Sequence, residues 1–273
     1  MRWDPAQYTR YADERGRPFL DLLARVGAAA PRRVVDLGCG PGNLTALLRE
    51  RWPAAAVEGL DSSPEMIERA SADVPGVDFA VGDVRTWTMP ADCDVLISNA
   101  TLQWVPAHLE LLRSWAAALP SGGWLAIQVP GNFDAPSHRL MRSLATSPRW
   151  APLLGDILRH DAVATPAAYA ALLLDAGLSV DVWETTYLHL LPGADPVLEW
   201  VRGTGLRPIL AALASPHGAT SSGAETWSDD GENAAEFERE YAALLREAYP
   251  RTAHGTVFEF RRVFAVAHKP APE

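Results

Sequence analysis

The stretch that most constrains this chain is Val34-Val35-Asp36-Leu37-Gly38-Cys39-Gly40-Pro41-Gly42-Asn43. Val34, Val35 and Leu37 are apolar and mostly β-branched, as a strand covered on both faces requires. Gly38 and Gly40 carry no Cβ, so the backbone can turn sharply and a ligand can approach it closely. Asn43 to Glu50 then places apolar residues at helical spacing. A strand, a glycine turn and a helix start follow one another. The first helical N–H groups lack intrahelical partners and attract a carboxylate or phosphate. The same stretch also reads as a plain strand-to-helix connection.

The rest of the first half repeats the rhythm. Strand patterns run over Ala55 to Leu60, Val77 to Val81, Asp94 to Ser98 and Trp124 to Val129, and helical patterns separate them. Strands alternating with helices predict a parallel α/β sheet. Asp61, Asp83 and Asn99 each fall where such a strand ends. Polar side chains gathered at several strand C-termini mark one crevice at the switch point of a doubly wound sheet, although each also suits a turn. Asp61 lies about twenty residues past the glycines, where nucleotide folds place an acid on ribose hydroxyls. It could instead cap the next helix. Ser63 before Pro64 is the better cap, which frees Asp61 for a ligand.

Beyond residue 130 the pattern changes. Residues 134–160 read as helical or irregular, Pro166 to Ala176 as a helix capped by Thr165, and Leu178 to Leu190 and Thr256 to His268 as strands. A helical block lies between those last strands, with helices from Asp195 and over Glu232 to Tyr249. Residues 213–231, rich in Gly, Ser and Ala, read as a mobile loop. Near the start, a helix is expected over Phe19 to Val26. Tyr8 and Tyr11 share a helical face that either packs on the surface or covers a ligand.

Composition narrows the function. The 273 residues are 48% hydrophobic, with a formal net charge of −10. No basic stripe offsets that charge, which argues against nucleic acid and anionic membranes. An anionic substrate must then be held by a local arginine cluster. Two cysteines, Cys39 and Cys93, make no disulfide framework, and a cytoplasmic location is the default. No apolar run reaches ~18 residues, and the start lacks the apolar region of a signal peptide. No His/Cys/Asp spacing suggests a metal. The histidines at 108, 138, 160, 217, 254 and 268 read as surface residues.

Together Asp36-Leu-Gly-Cys-Gly-Pro-Gly42, Asp61 with Ser62-Ser63-Pro64-Glu65-Met66, Gly82-Asp83 and Asn99-Ala-Thr-Leu-Gln-Trp104 resemble the class I S-adenosylmethionine-dependent methyltransferases. A finer similarity, to the bacterial trans-aconitate 2-methyltransferases, runs nearly end to end. It includes Trp3-Asp4-Pro5, Trp183-Glu-Thr-Thr-Tyr187-Leu-His189 and Trp200-Val-Arg-Gly-Thr-Gly-Leu-Arg207-Pro208.

The resemblance implies a Rossmann-like, doubly wound, seven-stranded, mostly parallel sheet of order 3-2-1-4-5-7-6, with a helical cap inserted between the last two strands. It implies one domain over 1–273: a core of 30–133, 162–192 and 255–268, and a cap of 134–161 and 193–254. Asp36, Gly38, Cys39 and Gly40 are expected at the methionine part of S-adenosylmethionine. Asp61 is expected on its ribose, Ser62, Met66, Asp83 and Val84 at its adenine, and Asn99 and Ala100 near its sulfonium. Tyr11, Trp104, Gln128, Tyr187, His189 and Arg207 are expected at the acceptor, a small polycarboxylate; since a planar guanidinium fork matches a carboxylate bidentately, Arg202 is expected there as the second arginine after Arg207. The implied product is S-adenosylhomocysteine, and no protein partner is implied. Since a carboxylate acceptor is already ionised at neutral pH, no general base is needed and no catalytic residue is expected beyond positioning.

Two other readings accompany this one. A nicotinamide dehydrogenase also fits Gly38-x-Gly40 and Asp61, but Asp36 would then face a pyrophosphate. A non-catalytic protein that keeps the pocket is the third.

Overall fold

The computed structural model describes residues 12–154, 157, 163–214 and 232–271. The described residues fall in two compact units: one drawn from the ranges 1–131, 161–186 and 261–273, and one from 132–160 and 187–260. Tyr11 and most of the expected loop 213–231 lie outside the described residues.

The first unit opens with helix α1 (Ala12–Ala24), which begins earlier than the expected Phe19. Strands β1 (Arg33–Leu37), β2 (Ala56–Asp61), β3 (Asp78–Val81), β4 (Cys93–Asn99) and β5 (Trp124–Pro130) follow. Helices α2 (Thr45–Arg51), α3 (Pro64–Asp73) and α4 (His108–Ala118) connect them, with a 3₁₀ turn over Leu102–Trp104 before α4. Helix α7 (Pro166–Asp175) leads into the long strand β6 (Ser179–Leu191), and β7 (Thr256–His268) comes last. The seven strands are ordered β3-β2-β1-β4-β5-β7-β6. β1 to β5 are parallel neighbours in that order, and β7 runs antiparallel to β5. The order reverses between β1 and β4, which is the switch point where ligands bind beyond the strand ends.

The strands form where β-branched and leucine residues are covered on both faces. Val34, Leu37, Val95, Leu96, Leu125 and Val129 are all fully or almost fully buried. Each such side chain contributes about 1.5–3 kcal/mol relative to exposure. Ser63 caps α3 by accepting from Met66 N, with Pro64 at the first helical position, as read from the sequence. The second unit holds helices α5 (Pro136–Ala145), α6 (Ala151–Leu154), α8 (Pro196–Arg202), α9 (Arg207–Ala214) and α10 (Glu232–Ala248), with the distal parts of β6 and β7. No helix among the described residues is long and apolar enough to cross a membrane.

Candidate active site

The first unit carries an open cleft of about 340 Å³ at the carboxyl ends of β1, β2, β3 and β4. Its floor is the glycine turn after β1. Gly38 N and Cys39 N both donate to Leu60 O, at 2.7 and 3.1 Å, which ties this turn to β2. Gly38 has φ +80°, and a Cβ there would lie 1.9 Å from Thr101 Oγ1. This glycine is required by the fold itself. Gly40 has φ +56°, and a Cβ there would meet nothing within 4 Å. Gly40 lines the cleft, so its bare flank faces the space a ligand would take.

Asp61 closes β2 and is engaged rather than free. Its Oδ2 accepts from Gly40 N and its Oδ1 from Ser63 N, both at 2.9 Å. Ser63 relieves Asp61 of capping with its side chain, yet recruits it through its backbone. A carboxylate has about four acceptor positions, so two bonds leave capacity for ribose hydroxyls. Burial pushes the Asp61 pKa up, and the Ser63, Gly40 and Ser62 amides pull it back.

The structure does not bring Asp36 or Cys39 to the cleft lining. Asp36 is buried, and its Oδ2 accepts from Thr45 Oγ1 at 2.7 Å. Burial pushes its pKa up to about 7; Thr45 lowers it and the Asp61 charge raises it. Asp36 thus ties β1 to α2 from behind the turn. The Cys39 thiol is buried and held protonated by that burial.

Ser62, Met66, Asp83 and Val84 line one end of the cleft. Arg85, which sequence reasoning missed, lines it too and grips Asp83. Its Nε lies 3.0 and 2.9 Å from the two Asp83 carboxylate oxygens, and its backbone N donates to Oδ1 at 2.9 Å. The Arg85 side chain is the main cause holding the Asp83 pKa down. The only sequence signal for this pair was its i, i+2 spacing.

The other end is formed by Asn99, Ala100, Thr101 and Trp104. Ala100 takes φ +55°, a left-handed conformation that costs an L-residue ~1–2 kcal/mol. Such strain gathers at ligand sites. Ala100 N donates to Gln128 O at 2.9 Å, and Ala100 O accepts from Gln103 Nε2 at 2.6 Å. Asn99 and Gln128 are register partners on β4 and β5. Asn99 Oδ1, Gln103 Oε1 and both amide atoms of Gln128 are buried with no hydrogen-bond partner among the described residues. Buried polar atoms left so cost free energy unless something else bonds them.

In the second unit, Tyr187 and His189 are buried on one side of β6, while Leu188 and Leu190 are exposed. His189 stacks on Trp200 with centroids 4.7 Å apart. Arg207 is half-buried at the start of α9, its N donating to Thr204 O. Arg202 differs from expectation. Its Nε donates to Glu238 Oε1 at 2.6 Å and its Nη1 to Glu199 Oε1 at 2.8 Å. Two carboxylates of the same unit already neutralise that guanidinium, so it is an internal tie rather than an open fork. Two histidines expected at the surface are also displaced inward. His108 is buried with Nε2 2.8 Å from Tyr169 Oη, and His138 is half-buried on α5. His160 and His217 lie outside the described residues.

A family model for a methyltransferase domain matches residues 8–181. The chain is 56% identical to a trans-aconitate 2-methyltransferase of Streptomyces avermitilis, over 98% of this chain and 97% of that one. It is 58% identical to one of a Mycobacterium sp. (strain KMS), over 97% and 98%. Among solved structures it resembles the YcgJ protein of Bacillus subtilis at a TM-score of 0.56 and 15% identity, over 94% of this chain and 100% of that one.

Proposed function

The chain belongs to the trans-aconitate 2-methyltransferase family of methyltransferases, and from that premise we propose that it esterifies one carboxylate of a small polycarboxylate, trans-aconitate first, in the cytoplasm. The donor in this reading is S-adenosylmethionine and the product S-adenosylhomocysteine. The observation that supports it best is the bare flank of Gly40 beside Asp61. That flank leaves room for a close-packed ligand, with an acid at hand for ribose hydroxyls.

When bound, the donor supplies an electrophilic methyl group on a sulfonium. The proposed work of the chain is to hold and align. Gly38 and Gly40 admit the methionine part to the backbone. Ser62, Met66, Asp83 and Val84 take the adenine, with Arg85 keeping Asp83 ionised and oriented. Asn99 and Ala100 flank the reacting centre. Asp36 and Cys39 support the turn from behind. Acceptor contacts are proposed for Tyr11, Trp104, Gln128, Tyr187, His189 and Arg207, with residues 134–161 and 193–254 as the cap. Gln128 brings an amide N–H that can bond a carboxylate oxygen. Arg207 brings a planar fork that matches one bidentately. Arg202 is withdrawn from that role. The acceptor arrives ionised, so rate enhancement comes from alignment and from exclusion of water around charges that neutralise each other.

The test is transfer of labelled methyl from S-adenosylmethionine to trans-aconitate, cis-aconitate, citrate, isocitrate and acceptors without a carboxylate. Trans-aconitate should give the highest kcat/KM, and Arg207→Ala should raise its KM far more than that of the donor. Transfer only to non-acid acceptors would refute the proposal.

A further inference from the structure

Asn99, Ala100, Thr101, Trp104, Val105 and Pro106 make one wall of the cleft, within the first unit. Two left-handed alanines bracket that wall, Ala100 at φ +55° and Ala107 at φ +54°, and no other non-glycine among the described residues has a positive φ. An L-residue keeps such a conformation only where its surroundings fix it.

The Ala100 end is fixed from several sides. Leu102 is fully buried. Thr101 fills the space that a Cβ on Gly38 would need, which sets the wall against the glycine floor. Gln128 O accepts from Ala100 N at 2.9 Å. Gln103 Nε2 donates to Ala100 O at 2.6 Å, reaching back across three residues. Gln103 itself does not line the cleft, so its effect on the site passes through Ala100. The bond is made at a cost, because Gln103 Oε1 is left buried with no hydrogen-bond partner among the described residues. An amide is what the position needs. A leucine would remove the bond to Ala100 O, and a glutamate would set a carboxylate oxygen against a carbonyl oxygen.

We propose that Gln103 is a positioning residue for methyl transfer. Acting through Ala100, it holds the Asn99–Ala100 wall where the methyl of the donor meets the attacking atom of the acceptor. This rests on the reading that Asn99 and Ala100 flank the reacting centre, and deepens it. In-line displacement tolerates little misplacement of the reacting atoms. A wall free to relax toward ordinary backbone angles therefore lowers the rate. The adenosyl end of the cleft, at Asp61 and Asp83, keeps its grip on the methyl donor.

The experiment compares Gln103→Leu, Gln103→Glu and Gln103→Leu combined with Ala100→Gly in the full chain. Labelled methyl transfer is followed with the fastest acceptor of the panel above, and S-adenosylhomocysteine binding by calorimetry. Gln103→Leu should lower kcat about 3- to 10-fold, the range for losing one neutral hydrogen bond. Affinity for S-adenosylhomocysteine should stay within about twofold. Gln103→Glu should lower kcat further, about 10- to 100-fold, since it adds repulsion to the lost bond. Glycine takes the left-handed region without strain, so in the Ala100→Gly background Gln103→Leu should cost no more than about twofold. Gln103→Met, unbranched and of similar length, serves if Gln103→Leu does not fold. A folded Gln103→Leu enzyme with wild-type kcat overturns the inference and leaves the reading of the cleft intact. So does an equal fall in kcat and donor affinity, or an undiminished penalty in the Ala100→Gly background. A wild-type chain with no affinity for S-adenosylhomocysteine overturns both.

Discussion

Gly38 and Gly40 are two residues apart and both left-handed, yet they answer to different demands. An alanine at Gly38 collides with Thr101, so Gly38→Ala should damage the fold and be visible as a large loss of thermal stability. An alanine at Gly40 meets no protein atom, so Gly40→Ala should cost only the ~1–2 kcal/mol of left-handed strain. It should nevertheless weaken S-adenosylhomocysteine about tenfold or more, read by calorimetry. Asp36 gives a pH prediction. Unfolded, its carboxyl has the ordinary value of 3.8; folded, burial holds it near 7. Between those values the folded chain binds a proton that the unfolded chain does not. The stability this contributes is therefore full below about pH 4 and lost as pH rises through about 7. Asp36→Asn should flatten that fall when Tm is followed from acid to neutral pH.

At the level of elements, local chemistry was legible and distant partnership was not. The Ser63-Pro64 start of α3 is visible in four residues, because a cap is a contact within one turn. Ser63→Ala should cost ~1 kcal/mol by denaturant titration, while the Asp61 contact to the Ser63 amide survives. The glycine turn and the alternation of strands and helices were legible for the same reason. The pairing of Arg202 with Glu238, 36 residues away, and of His108 with Tyr169, 61 away, was not. Side-chain type alone did not say that these groups were already satisfied. The same holds for the site. Asp61, Asp83 and Asn99 line the cleft from their places at strand ends, whereas Arg85 enters because the turn after β3 folds it back onto Asp83. Asp36 was expected at the methionine part of the donor; its side chain is buried outside the cleft lining with Oδ2 bonded to Thr45, a partner that residue type alone did not announce.

Over the whole chain, the consequence of the sheet order is one concentrated edge. β1 and β4 are neighbours although β2 and β3 intervene in sequence. That crossover brings the turns after residues 37, 61, 81 and 99 around a single cleft. The account depends on that cleft being where the donor is held. The most direct test is a crystal structure of the full chain with S-adenosylhomocysteine. The account predicts the ribose hydroxyls on Asp61, the adenine between Met66 and Asp83, and the homocysteine against Gly40. An adenosyl group elsewhere, or a cleft left empty at saturating ligand, would contradict it.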